Sequence, residues 1–402
     1  MSSDWKSWLV GALVVAAAAV PAALQQPTFR SGVELITVDA AVLDGEGRPV
    51  PALAAADFRV EVDGRPRRVV SAQFVEQAAP LLASAGPPPS HFSTNAGLDD
   101  GRVIVVAVDD AHIRRLEGRA ALAAAARFID RLPATDRIGV IGLASASGFT
   151  LTRDRAALRS RLETLLGNGD ALSGQFNLGV SEALEIADGG RVRLAEAVLR
   201  ECGRGLTEYV STARAADDAA ARDSCPEQLE QESRGIAQHA HAQARISLAA
   251  LEALIARLKD LPGPKTIVLL SEGMIVDSRR VDLSKLAADA QAARVTIYGL
   301  LLETPLFDAT QERVSPSANR DRQVQHDGID RVVGAARGAV FRLVGGDPAP
   351  FARVARELSG HYLLAFEAAD SDRDARIPNA PMAWGAVVHN GLVFIPDMNS
   401  GL

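Results

Sequence analysis

Two continuous apolar runs dominate the hydrophobic pattern of this chain. Val103 to Val108 runs into Asp109-Asp110, and Thr266 to Leu270 runs into Ser271-Glu272-Gly273. Both are too short for a buried helix and rich in β-branched residues. Such runs are central strands of a parallel sheet with helices on both faces. From Arg102 onward strand and helix patterns alternate. Helices are predicted at about 117–132, 155–166, 176–187, 283–293 and 350–358. Further strands are predicted at 137–143, 265–270, 295–302, 338–343 and 361–366, with a short edge strand at Phe149 to Thr152. Repeated βα units of this kind imply a doubly wound, mostly parallel sheet, an α/β fold.

The segments before this region alternate differently. In Phe58-Arg59-Val60-Glu61-Val62 the apolar residues share one face, Asp63-Gly64 signals a hairpin, and Val69 to Phe74 reads as the return strand. The pattern divides the chain into a leader at 1–24, a small N-terminal antiparallel β-sandwich-like module at 29–77, and a linker at 78–101 containing Gly86-Pro87-Pro88-Pro89. An α/β domain at 102–366 and a tail at 367–402 complete it. Within the domain, 190–261 forms a helical insertion. Pro226 and Pro262-Gly263-Pro264 bound one helix of about 35 residues, roughly 50 Å long at 1.5 Å per residue. Its apolar stripe (Leu248, Leu251, Leu254, Ile255, Leu258) lies in the C-terminal half, so the N-terminal half is expected to project and pair with the helix bearing Cys202, a helical hairpin pinned by the two cysteines.

Composition narrows the function. A net charge of −7 argues against a nucleic-acid partner, because phosphate binding needs a basic face. Aromatic residues at 4% leave little for a stacking surface. Lys6, the apolar stretch Trp8 to Val20, Pro21 and the small residues Ala22 and Ala23 match a secretory signal peptide. An uncleaved N-terminal signal anchor is the alternative, and no second stretch is apolar enough to span a bilayer. The expected location is therefore periplasmic or extracellular. In an exported protein the two cysteines, Cys202 and Cys225, invite a disulfide, with two separate buried thiols as the other reading.

Ligands of open α/β sheets bind beyond the carboxyl ends of the strands, which singles out Asp109, Asp110, His112 and Glu272. These carboxylates either hold a metal or cap the N–H groups of the next helix. A lone loop histidine such as His112 is more often solvated than ligating. His239 and His241, two apart on a predicted helix, face different directions and cannot chelate together. No nucleotide-binding or nucleophile-elbow motif follows any strand, and Ser271 has no histidine near it in sequence. No catalytic residue is assigned, and the chain is expected not to be an enzyme.

Several short motifs stand in a telling order. They are Asp57-Phe58 with Asp63-Gly64, Ser93-Thr94-Asn95, the strand into Asp109-Asp110, Asp136-Arg137-Ile138-Gly139 and Phe149-Thr150. Gly263-Pro264-Lys265-Thr266, Ser271-Glu272-Gly273 and Glu357-Leu358-Ser359-Gly360-His361-Tyr362-Leu363-Leu364 follow. Together they resemble the von Willebrand factor type A (VWA) proteins of the VWFA-related acidobacterial type, over about Phe29 to Asp374. The resemblance implies a Rossmann-like VWA domain whose metal-ion-dependent adhesion site is built from an Asp-x-Ser-x-Ser loop, a threonine and a further aspartate around Mg²⁺. Here Ala111 and Ile113 stand at the serine positions, Glu272 stands for the aspartate, and no threonine occurs at 173–177. A degenerate site follows, with no cofactor. If Mg²⁺ binds, Asp109, Asp110 and Glu272 are its oxygen donors. The resemblance thus implies an exported, non-enzymatic module for protein–protein interaction or adhesion. The alternative is a divalent-metal-dependent adhesin or hydrolase using the same three carboxylates. The tail departs from the family pattern and is expected to form a hairpin over His389-Asn390-Gly391.

Overall fold

The computed structural model describes residues 35–62, 64–76, 101–114, 118–145, 148–165, 167–169, 174–202, 224–304, 314–368, 387–389 and 392–395. The leader, the linker up to residue 100, the Ser93-Thr94-Asn95 motif, Ser173 and most of the tail lie outside these residues.

Strand β5 (Val103–Val108) is buried along its whole length because its two faces meet two different helical layers. Val103, Val105 and Ala107 join one core with Leu251, Ile255, Leu286, Ile329 and Val332. Ile104, Val106 and Val108 join the other with Ala125, Ile129, Leu162, Phe351 and Val354. A strand side chain points to alternate faces, so a sheet covered on both sides requires an uninterrupted apolar run. β5 pairs in parallel with β6 (Arg137–Gly142) and with β7 (Lys265–Ser271), and the order continues through β8 (Val295–Glu303) to β9 (Val340–Val344). The result is a five-stranded parallel sheet, β6-β5-β7-β8-β9. Helices α1 (Gly118–Arg131) and α2 (Arg155–Thr164) contribute to the second core. The predicted edge strand at Phe149 to Thr152 is a single bridge, Ile138 to Thr152. Thr152 Oγ1 accepts from Asp154 N, and the Asp154 carboxylate accepts from the N–H groups of Ala156 and Ala157. The chain therefore turns into α2 instead of extending.

Helix α3 (Val180–Ala187) starts four residues later than the apolar spacing predicts. The N–H groups of Gln175 and Phe176 donate to the Glu232 carboxylate and that of Asn177 to Glu201, so side chains satisfy this backbone before a helix can. In the insertion, α4 (Arg191–Cys202) is joined by a disulfide from Cys202 to Cys225 at the start of α5 (Cys225–Leu258). The single long helix matches expectation, but its N-terminal half does not simply project. Leu229, Ile236 and Ala237 are buried, and Leu229 and Ile236 form a satellite core with Ala183, Ile186, Ala197 and Val198 of α3 and α4. Alanines close the gap between these helices, a contact that a stripe of large residues does not reveal. Two more helices, α6 (Ser284–Ala292) and α7 (Ala318–Ala335), pack on the α5 face of the sheet, and α8 (Ala349–Glu357) on the other.

The N-terminal module is a sandwich of two small sheets. One has the order β1-β10-β4, with β1 (Leu35–Ala40) and β4 (Val69–Glu76) antiparallel to β10 (Gly360–Glu367). The strand that ends the 102–366 segment therefore sits in the middle of this sheet. The other sheet contains β2 (Phe58–Val62) and β3 (Arg65–Arg67), with the β11 (Val387–His389) and β12 (Leu392–Ile395) hairpin alongside β2. Val69 to Phe74 is thus not the hairpin's return strand. Arg65–Arg67 fills that place, and the chain then crosses to the facing sheet, where Val69, Ala72 and Phe74 reach the core around Tyr362, Leu364 and Phe366.

Replacing Cys202 and Cys225 by serine is expected to lower the unfolding free energy by roughly 3 kcal/mol, the chain-entropy value for a loop of this size. Urea midpoints of the oxidised protein and the double variant measure this; equal midpoints would rule out the crosslink as a stabiliser.

Candidate functional site

β5 lies between β6 and β7, so successive connections leave it in opposite directions. A doubly wound sheet forms its ligand crevice at that reversal, beyond the carboxyl ends of the strands. Asp109 and Asp110 leave β5 at this point, and Ser271-Glu272 ends β7.

Asp109 is fully buried, and its carboxylate meets groups from three segments. Ser247 Oγ, from α5, donates to Oδ1 at 2.6 Å, and Ser271 Oγ donates to Oδ2 at 2.7 Å. His112 Nδ1 lies 2.9 Å from Oδ1 and 3.3 Å from Ser247 Oγ. A carboxylate only accepts, so the imidazole proton resides on Nδ1 and Nε2 is left as the second functional nitrogen. His112 is therefore not a solvated loop residue but part of the buried cluster.

Asp110 points the other way, as adjacent residues at a strand end must. Its carboxylate accepts from Ala144 N at 2.7 Å and Ser145 N at 3.1 Å, in the turn after β6. Gly142 makes room for this seat, since a Cβ there would fall 2.3 Å from Ser145 Oγ and 3.1 Å from Asp110 Oδ2. Neither aspartate carboxylate is bonded to an N–H of α1 as described from Gly118; both crosslink neighbouring segments instead. Glu272 engages a third partner. Its oxygens accept from Arg114 N at 3.0 Å and Arg114 Nε at 2.9 Å.

This donor set does not fit a small hard cation. Mg²⁺ needs several oxygens converging at ~2.0–2.1 Å, whereas Asp109, Asp110 and Glu272 diverge toward three separate sets of N–H and O–H donors. Among the described residues no group of three or more His, Cys, Asp or Glu side chains is placed to share a metal ion. Ala111 and Ile113, at the two serine positions, are buried apolar residues. Ser247 is the functional residue that the sequence reading missed. The available signal was a lone hydroxyl within the buried stripe Ala244, Ser247, Leu248, Leu251 of α5.

Above this cluster lies a cavity of about 310 Å³. Its floor comes from Ala111, His112 and Arg114, from Glu272-Gly273 and from Leu302 at the end of β8. Its roof is Ile236, His239 and Gln243 of α5 with Asp321, Gln325 and His326 of α7. Gly273, at φ 126°, lets Gln325 approach closely. Of the histidine pair on α5, His239 lines the cavity, while His241 does not and has its basicity lowered by burial and by Arg280. Burial likewise lowers the basicity of His326, with Glu303 opposing and Arg342 and Arg322 reinforcing the shift.

No protein-family model matches the chain, and no curated protein matches it in sequence. The fold and the position of the site define a Rossmann-like, doubly wound α/β protein whose architecture is consistent with the VWA superfamily fold. Among the described residues no helix is long and apolar enough to cross a membrane.

Asp109→Ala is expected to cost roughly 3–5 kcal/mol, because it strands buried donors around a lost charge. Glu272→Gln, whose partner is closer to solvent, is expected to cost about 1 kcal/mol. Chemical denaturation of the two variants tests this ranking. Because His326 is held below its ordinary pKa near 6.5, the unfolded chain binds the proton more readily. Its contribution to stability is full above pH ~6.5 and is lost as pH falls toward the folded pKa. His326→Gln should flatten part of the decline in urea midpoint between neutral and acidic pH, and an unchanged slope would contradict this.

Proposed function

We propose that the chain is an exported, non-enzymatic protein-interaction module of the VWA type, related to the VWFA-related acidobacterial proteins, that docks its partner without a divalent cation. The observation that carries this reading is the Ser247 hydroxyl. It reaches from the long inserted helix to Asp109 and, with Ser271 and His112, satisfies the carboxylate that a metal would need. A cation would have to part three buried hydrogen bonds before finding a ligand. The insertion also offers a surface for a protein partner. Val192 and Leu199, seven residues apart on one face of α4, are 75% and 60% exposed, and exposed apolar groups sharing a face favour protein contacts. Export is supported by Lys6 and the apolar stretch that follows it, and by a disulfide suited to an oxidising compartment.

Isothermal titration with Mg²⁺, Mn²⁺ and Ca²⁺ is expected to show no saturable heat, and partner capture from the native cell envelope is expected to survive chelator. Saturable heat that Asp109→Ala abolishes would overturn the metal-free reading. Val192→Lys with Leu199→Lys should remove capture without moving the melting temperature.

A further inference from the structure

The cavity above Asp109 holds polar groups that the protein itself leaves unspent. Both oxygens of Glu272 are engaged by Arg114 N and Nε, and Asp321 Oδ1 accepts from Ser181 N at the start of α3. Both oxygens of Glu272 and one of Asp321 are thus already engaged. Arg114 uses only its backbone N–H and Nε, so its two terminal nitrogens make no bond among the described residues. His112 has Nδ1 committed to Asp109, and its Nε2 is buried without a partner. Buried polar atoms are nearly always bonded, so an orphan beside a cavity marks a place for a ligand or water. Among the polar groups of the wall, Leu178, Ile236 and Ile275 supply an aliphatic portion.

We propose that this cavity binds a small organic oxyanion, a carboxylate or phosphate monoester on a short aliphatic body. The Arg114 fork takes two oxygens in the side-by-side geometry that guanidinium favours. His112, held through Nδ1 by Asp109, turns its accepting Nε2 to the same space, where a water donating to both it and the anion bridges the two. The aliphatic body lies against Ile236 and Ile275. At about 310 Å³ the space matches a small molecule. The site is separate from the α4 surface assigned to a protein partner, so either assignment can fail alone.

The test is calorimetric titration of the full chain with butyrate, hexanoate and butyl phosphate, with butyramide as the uncharged control. Saturable one-to-one binding by at least one oxyanion is expected, at least about tenfold tighter than butyramide. Which oxyanion saturates first decides between carboxylate and phosphate. Arg114→Gln should weaken binding by roughly tenfold or more. Should that variant fail to fold, Ala240→Leu, which adds bulk to the α5 wall, should abolish binding while circular dichroism stays unchanged. The proposal is overturned if no oxyanion saturates, if butyramide binds as well as butyrate, or if both folded variants bind as the parent does.

Discussion

The carboxylate of Asp109 is the constraint around which the upper end of the sheet is arranged. A buried ion costs several kcal/mol in lost hydration unless donors replace the water. Here the replacements come from places far apart in the chain: His112 three residues on, Ser247 on α5 and Ser271 at the end of β7. Each bond fixes a different element relative to β5. One charged group thereby locks the inserted helix onto the sheet and sets the floor of the cavity. The same arrangement accounts for Ala111 and Ile113. With hydroxyls arriving from outside the loop, these positions are released to pack.

How much of this was legible depended on whether the information was local. The strands β5 and β7 announce themselves because burial on both faces forces every residue to be apolar. The place of Asp109 and Asp110 at the carboxyl end of β5 was legible from the run before them, but their partners were not. Two consecutive residues at a strand end diverge, which is why the two carboxylates expected to share a cation are turned to separate partners. Ser247 is 138 residues from Asp109, and its one local signal, a hydroxyl within an apolar stripe, does not say which group it meets. The pairing of the N-terminal half of α5 with the helix bearing Cys202 was expected, but the extent of its burial was not. Close helix packing through Ala183, Ala197 and Ala237 leaves no stripe of large side chains.

The β-module shows the same division. The hairpin signal at Asp63-Gly64 was correct, yet the partner of β4 lies near the other end of the chain, beyond the reach of turn chemistry. Tyr362 organises this module. Its ring lies 5.1 Å from those of Phe58 and Phe74, and its hydroxyl donates to Val50 O and accepts from Leu53 N. On the outer side Asp39 accepts from Arg294 Nε at 2.8 Å, tying β1 to the loop before β8. The module and the α/β domain are thus tied by an ion pair and by the chain running from α8 directly into β10.

The central place of β10 also carries a consequence for biogenesis. β1 and β4 do not touch each other in their sheet; both wait for β10, with Leu35 opposite Glu367 and Glu76 opposite Gly360. Contacts between such distant positions form late, since loop closure must precede them. During synthesis the early strands therefore emerge with unpaired edges and stay open while the α/β core assembles behind them. A chain built this way must keep those edges covered until β10 (Gly360–Glu367) is available to pair.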